Sequence, residues 1–312
     1  MAVLTRAADR IFWAARYLER AEDTSRLIVS FGDLFADIPA TDDSDRRWGS
    51  LLAVFGAIDP AGELDHTDER AVVHALVSEA TEPGSVRSSV ASARNNLRTC
   101  RELLPREAWK VVNDLWRFSE EQIDRADDRR FRGGVLGQVI DESRRLDGVL
   151  QSSMLRNDAF EMWRLGRYLE RADMTTRVVG VRAAGIMQAG DSLDYDEVHW
   201  MGVLRSLSAL QMYQRSMHGP IDPALVVKFL LFDTRFPRSV SFCLDEIGRS
   251  LDQLHEPEAV CDALDGARAV LTSTTADAAD GPDLDQAMDQ VQQALASLGA
   301  AITERYLTVP DS

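Results

Sequence analysis

At 312 residues the chain has room for roughly two domains of about 150 residues each, and 45% hydrophobic residues supply a sizeable core. Lys and Arg number 35 against 51 Asp and Glu, a formal charge of −16; such a surface repels nucleic acid and anionic membranes, so neither is expected as a partner. The three cysteines, Cys100, Cys243 and Cys261, have no metal-site spacing, and "MAVLTRAADRIFW" at the start has no apolar run of signal-peptide length. The most apolar stretch, 224–232, is too short to span a bilayer and contains Lys228, so the expectation is a soluble cytoplasmic protein with reduced thiols.

In chain order, the first element predicted is a helix over 4–31. Leu4, Ile11, Leu18 and Ser25 lie a heptad apart, flanked by Ala14, Ala15 and Ala21, a narrow seam that lets another helix approach closely. The opposite side carries Arg16, Arg20 and Asp23 beside Phe12 and Trp13. A polar, Pro-bearing linker is expected at 37–45. Thr67 before Asp68 and Glu69 reads as an N-cap followed by first-turn acids. Pro105 and Pro223 fit the first position of a helix, and Trp109, Val112 and Trp116 form a stripe read as core. Gly133-Gly134 reads as a helix start but lacks a P-loop Lys. A second long helix is expected over 157–181, and a mobile acidic linker at 272–283.

That second helix repeats the first. "RYLERAEDTSR" (16–26) returns as "RYLERADMTTR" (167–177), and at the same offset Phe12 meets Trp163 and Asp23 meets Met174. "WGSLLAVF" from Trp48 resembles "WMGVLRSL" from Trp200. Pro83, Ser85 and Val86 fall on Pro237, Ser239 and Val240, and Leu146 and Leu150 on Leu298 and Ile302. With β-branched alternation scarce and apolar residues at three- and four-residue steps, the fold class expected is all-α. It is read as an array of about twelve helices built from two tandemly duplicated halves, 1–155 and 156–312, forming one compact unit.

The repeated segment is the main candidate site: Arg16, Glu19, Arg20 and their copies Arg167, Glu170, Arg171. Each Glu is placed to share an arginine of its own helix, leaving the other guanidinium to reach elsewhere. Glu22–Arg26 and Asp173–Arg177 add i,i+4 pairs. Three readings compete: a solvated ion-paired face, a structural cluster packed between helices against its own copy, and a site where guanidinium forks hold a carboxylate or phosphate. The packed reading is preferred, with Glu19 and Glu170 accepting from buried arginines. Arg235 and Arg238, around Pro237 at an expected helix start, form a second candidate, an anion-binding site. Di-iron chemistry needs two Glu-x-x-His pairs and the sequence has a single one, Glu63–His66, so it is not expected, and no Gly-rich phosphate loop or nucleophile elbow is present. No metal, cofactor or catalytic set is assigned.

These segments, with "FPRSVSFCL" and "LRSLSALQMYQR" in the second half, resemble the bacterial alpha-E proteins over nearly the whole chain. Where the first copy reads "FWAARYLER", members of that family tend to have Met-Gly before the Arg; the second copy, "LGRYLER", keeps the Gly. The resemblance implies a setting: partnership with an ATP-grasp-like protein and a transglutaminase-like protein, in making or trimming peptides or amide-linked tags. The expected function is therefore a non-catalytic helical partner, or peptide-presenting component, of an ATP-grasp-type ligase, with a peptide as candidate ligand. The alternatives are a helical enzyme using the Arg–Glu cluster on a carboxylate or phosphate, and a self-associating scaffold.

Overall fold

The computed structural model describes residues 2–37, 47–55, 67–189, 196–275 and 282–308. His66 and most of the expected 37–45 linker lie outside these residues, as do 276–281 within the second expected linker. The elements in order are α1 (Ala2–Asp37), α2 (Arg47–Phe55), α3 (Glu69–Val73) running into a π-helical turn (His74–Ser78), α4 (Val86–Arg98) and α5 (Arg106–Gln122). A 3-10 turn (Ile123–Asp127) leads to α6 (Arg129–Ser153), followed by α7 (Asp158–Ala189), α8 (Asp196–Ser206), α9 (Leu210–Met217) and α10 (Pro223–Phe232). Last come α11 (Val240–Leu251), α12 (Glu258–Thr275) and α13 (Pro282–Ile302), which ends in a π-helical turn (Thr303–Leu307). Among the described residues there is no strand, and the fold is all-α.

Capping chemistry sets most boundaries. Asp222 accepts from the Leu225 amide at 2.9 Å with Pro223 at the first helical position of α10. Elsewhere the boundaries shift slightly from the sequence expectation. Asp68 rather than Thr67 caps α3, its carboxylate accepting from the Arg70 amide at 2.9 Å. Pro105 occupies the cap position of α5, one residue earlier than expected. Gly133 and Gly134 lie inside α6, which Asp128 starts by accepting from the Arg130 amide at 3.0 Å. Residues 272–275, expected as linker, continue α12.

The two longest helices, α1 and α7, pack on each other more extensively than any other pair of elements. Phe12 meets Gly166, Arg16 meets Glu170 and Glu19 meets Arg171, so the partners advance together and the helices run in the same direction. Their closest point needs a missing side chain. A Cβ on Gly166 would sit 2.3 Å from the Phe12 carbonyl oxygen and 3.2 Å from the Ala15 Cβ. Ala15 and Gly166 thus share one contact, a methyl on one helix and none on the other.

Around this pair, α1 is covered by α4, α6 and α8, and α7 by α11, α13 and α2. Hence α2 lies on α7 and α8 on α1, and each half of the chain closes over the long helix of the other. Residues 21–28 of α1 are buried on every side, which removes the distinction between a seam and a solvated face. The buried apolar residues, from Ile11 to Leu307, form one continuous core. Val112 is fully buried, and Trp109 and Trp116 are half-buried against that core, with the Arg94 guanidinium 4.3 Å from the Trp116 ring.

The loops entering α4 and α11 repeat the same hydrogen bonds 154 residues apart. Ser85 Oγ accepts from the Ser88 amide at 3.1 Å and donates to the Glu79 carbonyl at 2.6 Å. Ser239 Oγ accepts from the Phe242 amide at 3.1 Å and donates to the Asp233 carbonyl. Glu79 and Asp233 carboxylates accept from the amides of Thr81 and Arg235 at 2.9 and 2.8 Å.

Candidate functional site

The parallel packing of α1 on α7 brings the two RYLERA segments face to face. In each, arginines at i and i+4 stand one turn apart and flank a groove. The opposing Glu enters that groove. Glu170 accepts from Arg16 Nε at 2.7 Å on Oε2 and from Arg20 Nε at 2.6 Å on Oε1. Glu19 accepts from Arg171 Nε at 2.7 Å and Nη2 at 2.9 Å, and from Arg167 Nε at 3.1 Å. The pairs are swapped between helices, which corrects the expectation of sharing along one helix. On its own helix Glu19 is adjacent to Arg20, about 100° away around the axis, whereas the facing helix offers two guanidinium groups straddling it.

The two centres differ in their surroundings. Arg238, entering from the turn before α11, lies 3.0 Å from Glu19 Oε1, 2.7 Å from Asp23 Oδ1 and 3.2 Å from Glu22 Oε1. Arg26 pairs with Glu22 at 2.5 Å, pairs with Asp23, and donates through Nε to the Ser206 carbonyl at 3.1 Å. Arg144 reaches Glu22 at 3.2 Å, and Arg167 pairs with Asp147. The other centre has Met174 where this one has Asp23, and Gly84 where this one has Arg238. There Asp173 pairs with Arg177 at 2.7 Å. Glu170 is fully buried, while Arg16 and Arg20 remain 18% and 27% exposed.

The structure does not bring Arg235 and Arg238 together. Arg235 is 81% exposed and turns to Asp233 at 3.1 Å. Arg238 is buried and committed to three carboxylates, and Ser239 already caps α11. The segment thus contributes Arg238 to the Glu19 centre and leaves Arg235 at the surface.

Burial works to raise the Glu19 pKa, but the guanidinium groups of Arg171, Arg238 and Arg167 more than cancel it and hold the carboxyl well below the usual range. Glu170 is likewise lowered, burial being outweighed by Arg16 and Arg20. Asp23 goes the other way. Burial dominates, Arg238 and Arg26 only partly offset it, and Glu19 and Glu22 repel, so its pKa rises from 3.8 to about 6. The thiol of Cys243 in the same region is pushed up to about 12, chiefly by burial, and is no nucleophile at neutral pH.

One constellation escaped the sequence reading. His74 Nδ1 lies 2.8 Å from Asp127 Oδ2, and Ser78 Oγ donates to Asp127 Oδ1 at 2.9 Å. The residues are 53 and 49 positions apart, so no local motif announces them. The carboxylate stands between hydroxyl and imidazole, and Ser78 is buried. A serine nucleophile needs the imidazole at its oxygen, so this group ties the π-helical turn to the 3-10 turn before α6. Among the described residues no group of three or more His, Cys, Asp or Glu is arranged to hold a metal ion, and no helix is long and apolar enough to cross a membrane.

Similar proteins are uncharacterized proteins of Mycobacterium bovis and Mycobacterium tuberculosis, each 24% identical over 266 residues. These matches cover 80% of this chain and 30% of the relatives, so the chain spans about a third of the length of the curated relatives it matches. No solved structure matches it. A family model described as a predicted alpha-helical domain with a conserved ER motif matches residues 3–307. The Glu-Arg pairs inside the two RYLERA segments, Glu19-Arg20 and Glu170-Arg171, supply the carboxylates and half of the guanidinium groups that clasp α1 to α7, and the chain belongs to the Alpha-E family.

Proposed function

We propose that this protein is a non-catalytic helical component of an ATP-grasp-type amide or peptide ligase system, acting in the cytoplasm and presenting a peptide to its enzyme partner. The observation that carries this reading is the use made of Glu19 and Glu170. A general base works best with a pKa near the operating pH, and both carboxyls are held low inside interhelical ion pairs. The motif that defines the family is spent on joining helices. The relatives support the rest: their matched region is 30% of a longer chain, so related domains occur joined to further polypeptide. The ligase identity of the partner comes from the family resemblance, and the acidic surface suits a protein partner over nucleic acid.

The same reading includes the tandem duplication. It is supported by the swapped ion pairs about 151 residues apart and by the two serine-capped loops 154 residues apart. A duplicated bundle brings the copies together near its pseudo-twofold axis, where each change is felt by both copies, and RYLERA is the segment that differs least.

The test is direct mixing. The purified protein and the ATP-grasp-like protein of the same genome are combined and run by size exclusion with light scattering at low and moderate salt. A complex of defined mass is expected. Separate elution at every salt concentration overturns the reading.

A further inference from the structure

Arg16 and Arg167 stand 151 residues apart in matching segments, yet they are not equally occupied. Arg167 donates through Nε to Glu19 and pairs through Nη1 with Asp147 of α6. Arg16 donates through Nε to Glu170, and among the described residues its two Nη groups have no protein acceptor. The reason is visible on α13. The separation of 152 that places Leu146 and Leu150 on Leu298 and Ile302 places Asp147 on Gly299. Where Arg167 finds a carboxylate, Arg16 finds a glycine and open space.

That space is a cavity of about 490 Å³ between α1, α7 and the end of α13. Its apolar side includes Leu169 and Leu295. Trp13 forms part of the wall, with its ring centroid 4.9 Å from the Arg16 guanidinium carbon, which holds that plane in place. Arg177 and Asp173 also line the cavity but satisfy each other at 2.7 Å. Glu170 and Asp173 engage Arg16, Arg20 and Arg177, and the carboxylate of Glu304 lies at the exposed rim, so what the cavity offers is the free edge of Arg16 rather than a net charge.

We propose that this cavity binds a small organic carboxylate with an apolar body. The ligand's carboxylate takes the place on Arg16 that Asp147 takes on Arg167, and its apolar part lies against Leu169 and Leu295. The volume lies within the range of about 300–1,000 Å³ usual for small-molecule sites. One guanidinium edge fits a planar carboxylate with two parallel hydrogen bonds, whereas a phosphate would sit against apolar walls with too few donors. The inference does not depend on the ligase-partner reading.

The experiment uses saturation-transfer NMR with N-acetyl-leucine, its uncharged amide and inorganic phosphate, each at millimolar concentration on the full chain. Charge-assisted hydrogen bonds predict that the acid binds at least about tenfold more tightly than the amide. Gly299→Asp places a carboxylate beside Arg16 from within and should abolish acid binding while leaving the thermal midpoint near the parent's. A Cβ at Gly299 would meet the Leu169 side chain at 3.2 Å, so the variant needs a small shift there. Ala300→Phe, from an exposed position on the rim, blocks the cavity without touching the core and should also abolish binding. Acid and amide binding equally, acid failing to bind the parent, phosphate displacing the acid, or undiminished binding in Ala300→Phe would each overturn the proposal.

Discussion

The residues that matter most here are charged and buried, and their cost is met by pairing. An isolated ion inside a protein is expensive, and removing one partner of a buried pair typically costs about 3–5 kcal/mol. Glu19 meets that condition with three guanidinium groups and Glu170 with two. Asp23 is the weak member, with one oxygen, Oδ2, buried without a hydrogen-bond partner and its pKa raised to about 6. A carboxyl with a folded pKa above its ordinary 3.8 binds protons more readily in the native state between those two values. Its ionisation therefore costs stability above pH 6, and that cost disappears as the pH falls toward 3.8. Glu19 and Glu170 have the opposite sign, since their contribution is present above the ordinary Glu value of 4.5 and is lost as the pH falls through their lowered folded values. Asp23→Asn removes the first effect and keeps the second. Urea unfolding from pH 7 to about 4.5 should show the parent gaining about 2 kcal/mol relative to the variant. A constant difference would mean that Asp23 titrates normally. The sequence named Glu19 and Glu170 because their segment is repeated. It did not disclose Asp23 and Arg238 as partners, because they lie 215 residues apart and meet only across the folded core.

At the level of elements, the closest approach of α1 and α7 rests on one glycine. Gly166→Ala drives a methyl into the Phe12 carbonyl oxygen, a backbone atom that cannot rotate away. Overpacking a tight contact commonly costs about 1–3 kcal/mol, and here the upper end is expected, read as a lowered urea midpoint. The swapped ion pairs begin only four residues beyond this contact, so a forced separation weakens them as well. Gly137→Ala in α6 is the comparison: nothing lies within 4 Å of its added Cβ. It should gain about 0.5–1 kcal/mol from helix propensity alone. Equal effects at the two glycines would show that the helices are not in contact at Gly166. The sequence pointed to this place from the first copy, through the seam containing Ala14, Ala15 and Ala21. That the second copy contributes a bare backbone opposite Ala15 depended on which residues the two helices bring to the same height.

For the molecule as a whole, each half covers the long helix of the other, with α2 on α7 and α8 on α1. The buried core is continuous between them. Splitting the chain would expose apolar surface on both pieces and leave Arg16, Arg20, Arg167 and Arg171 without their carboxylates. Residues 1–155 and 156–312 expressed separately should therefore fail to give cooperative thermal transitions, while the two pieces co-expressed should recover one. Two independent cooperative transitions from the separate pieces would show that the halves are autonomous domains.

The all-α class, the two long helices and the repetition of the RYLERA segment were legible in the sequence. Those properties follow from local propensity, apolar spacing and capping, which act over a few residues and are written in consecutive letters. The packing of the helices settled that the Glu–Arg pairs are exchanged between them and that Arg238 is buried while Arg235 stays at the surface beside Asp233. It alone decided that Asp147 fills one centre where Gly299 leaves the other open. These depend on which faces meet after 150 or more intervening residues have folded, and a helical wheel gives direction around one axis but not the identity of what lies opposite.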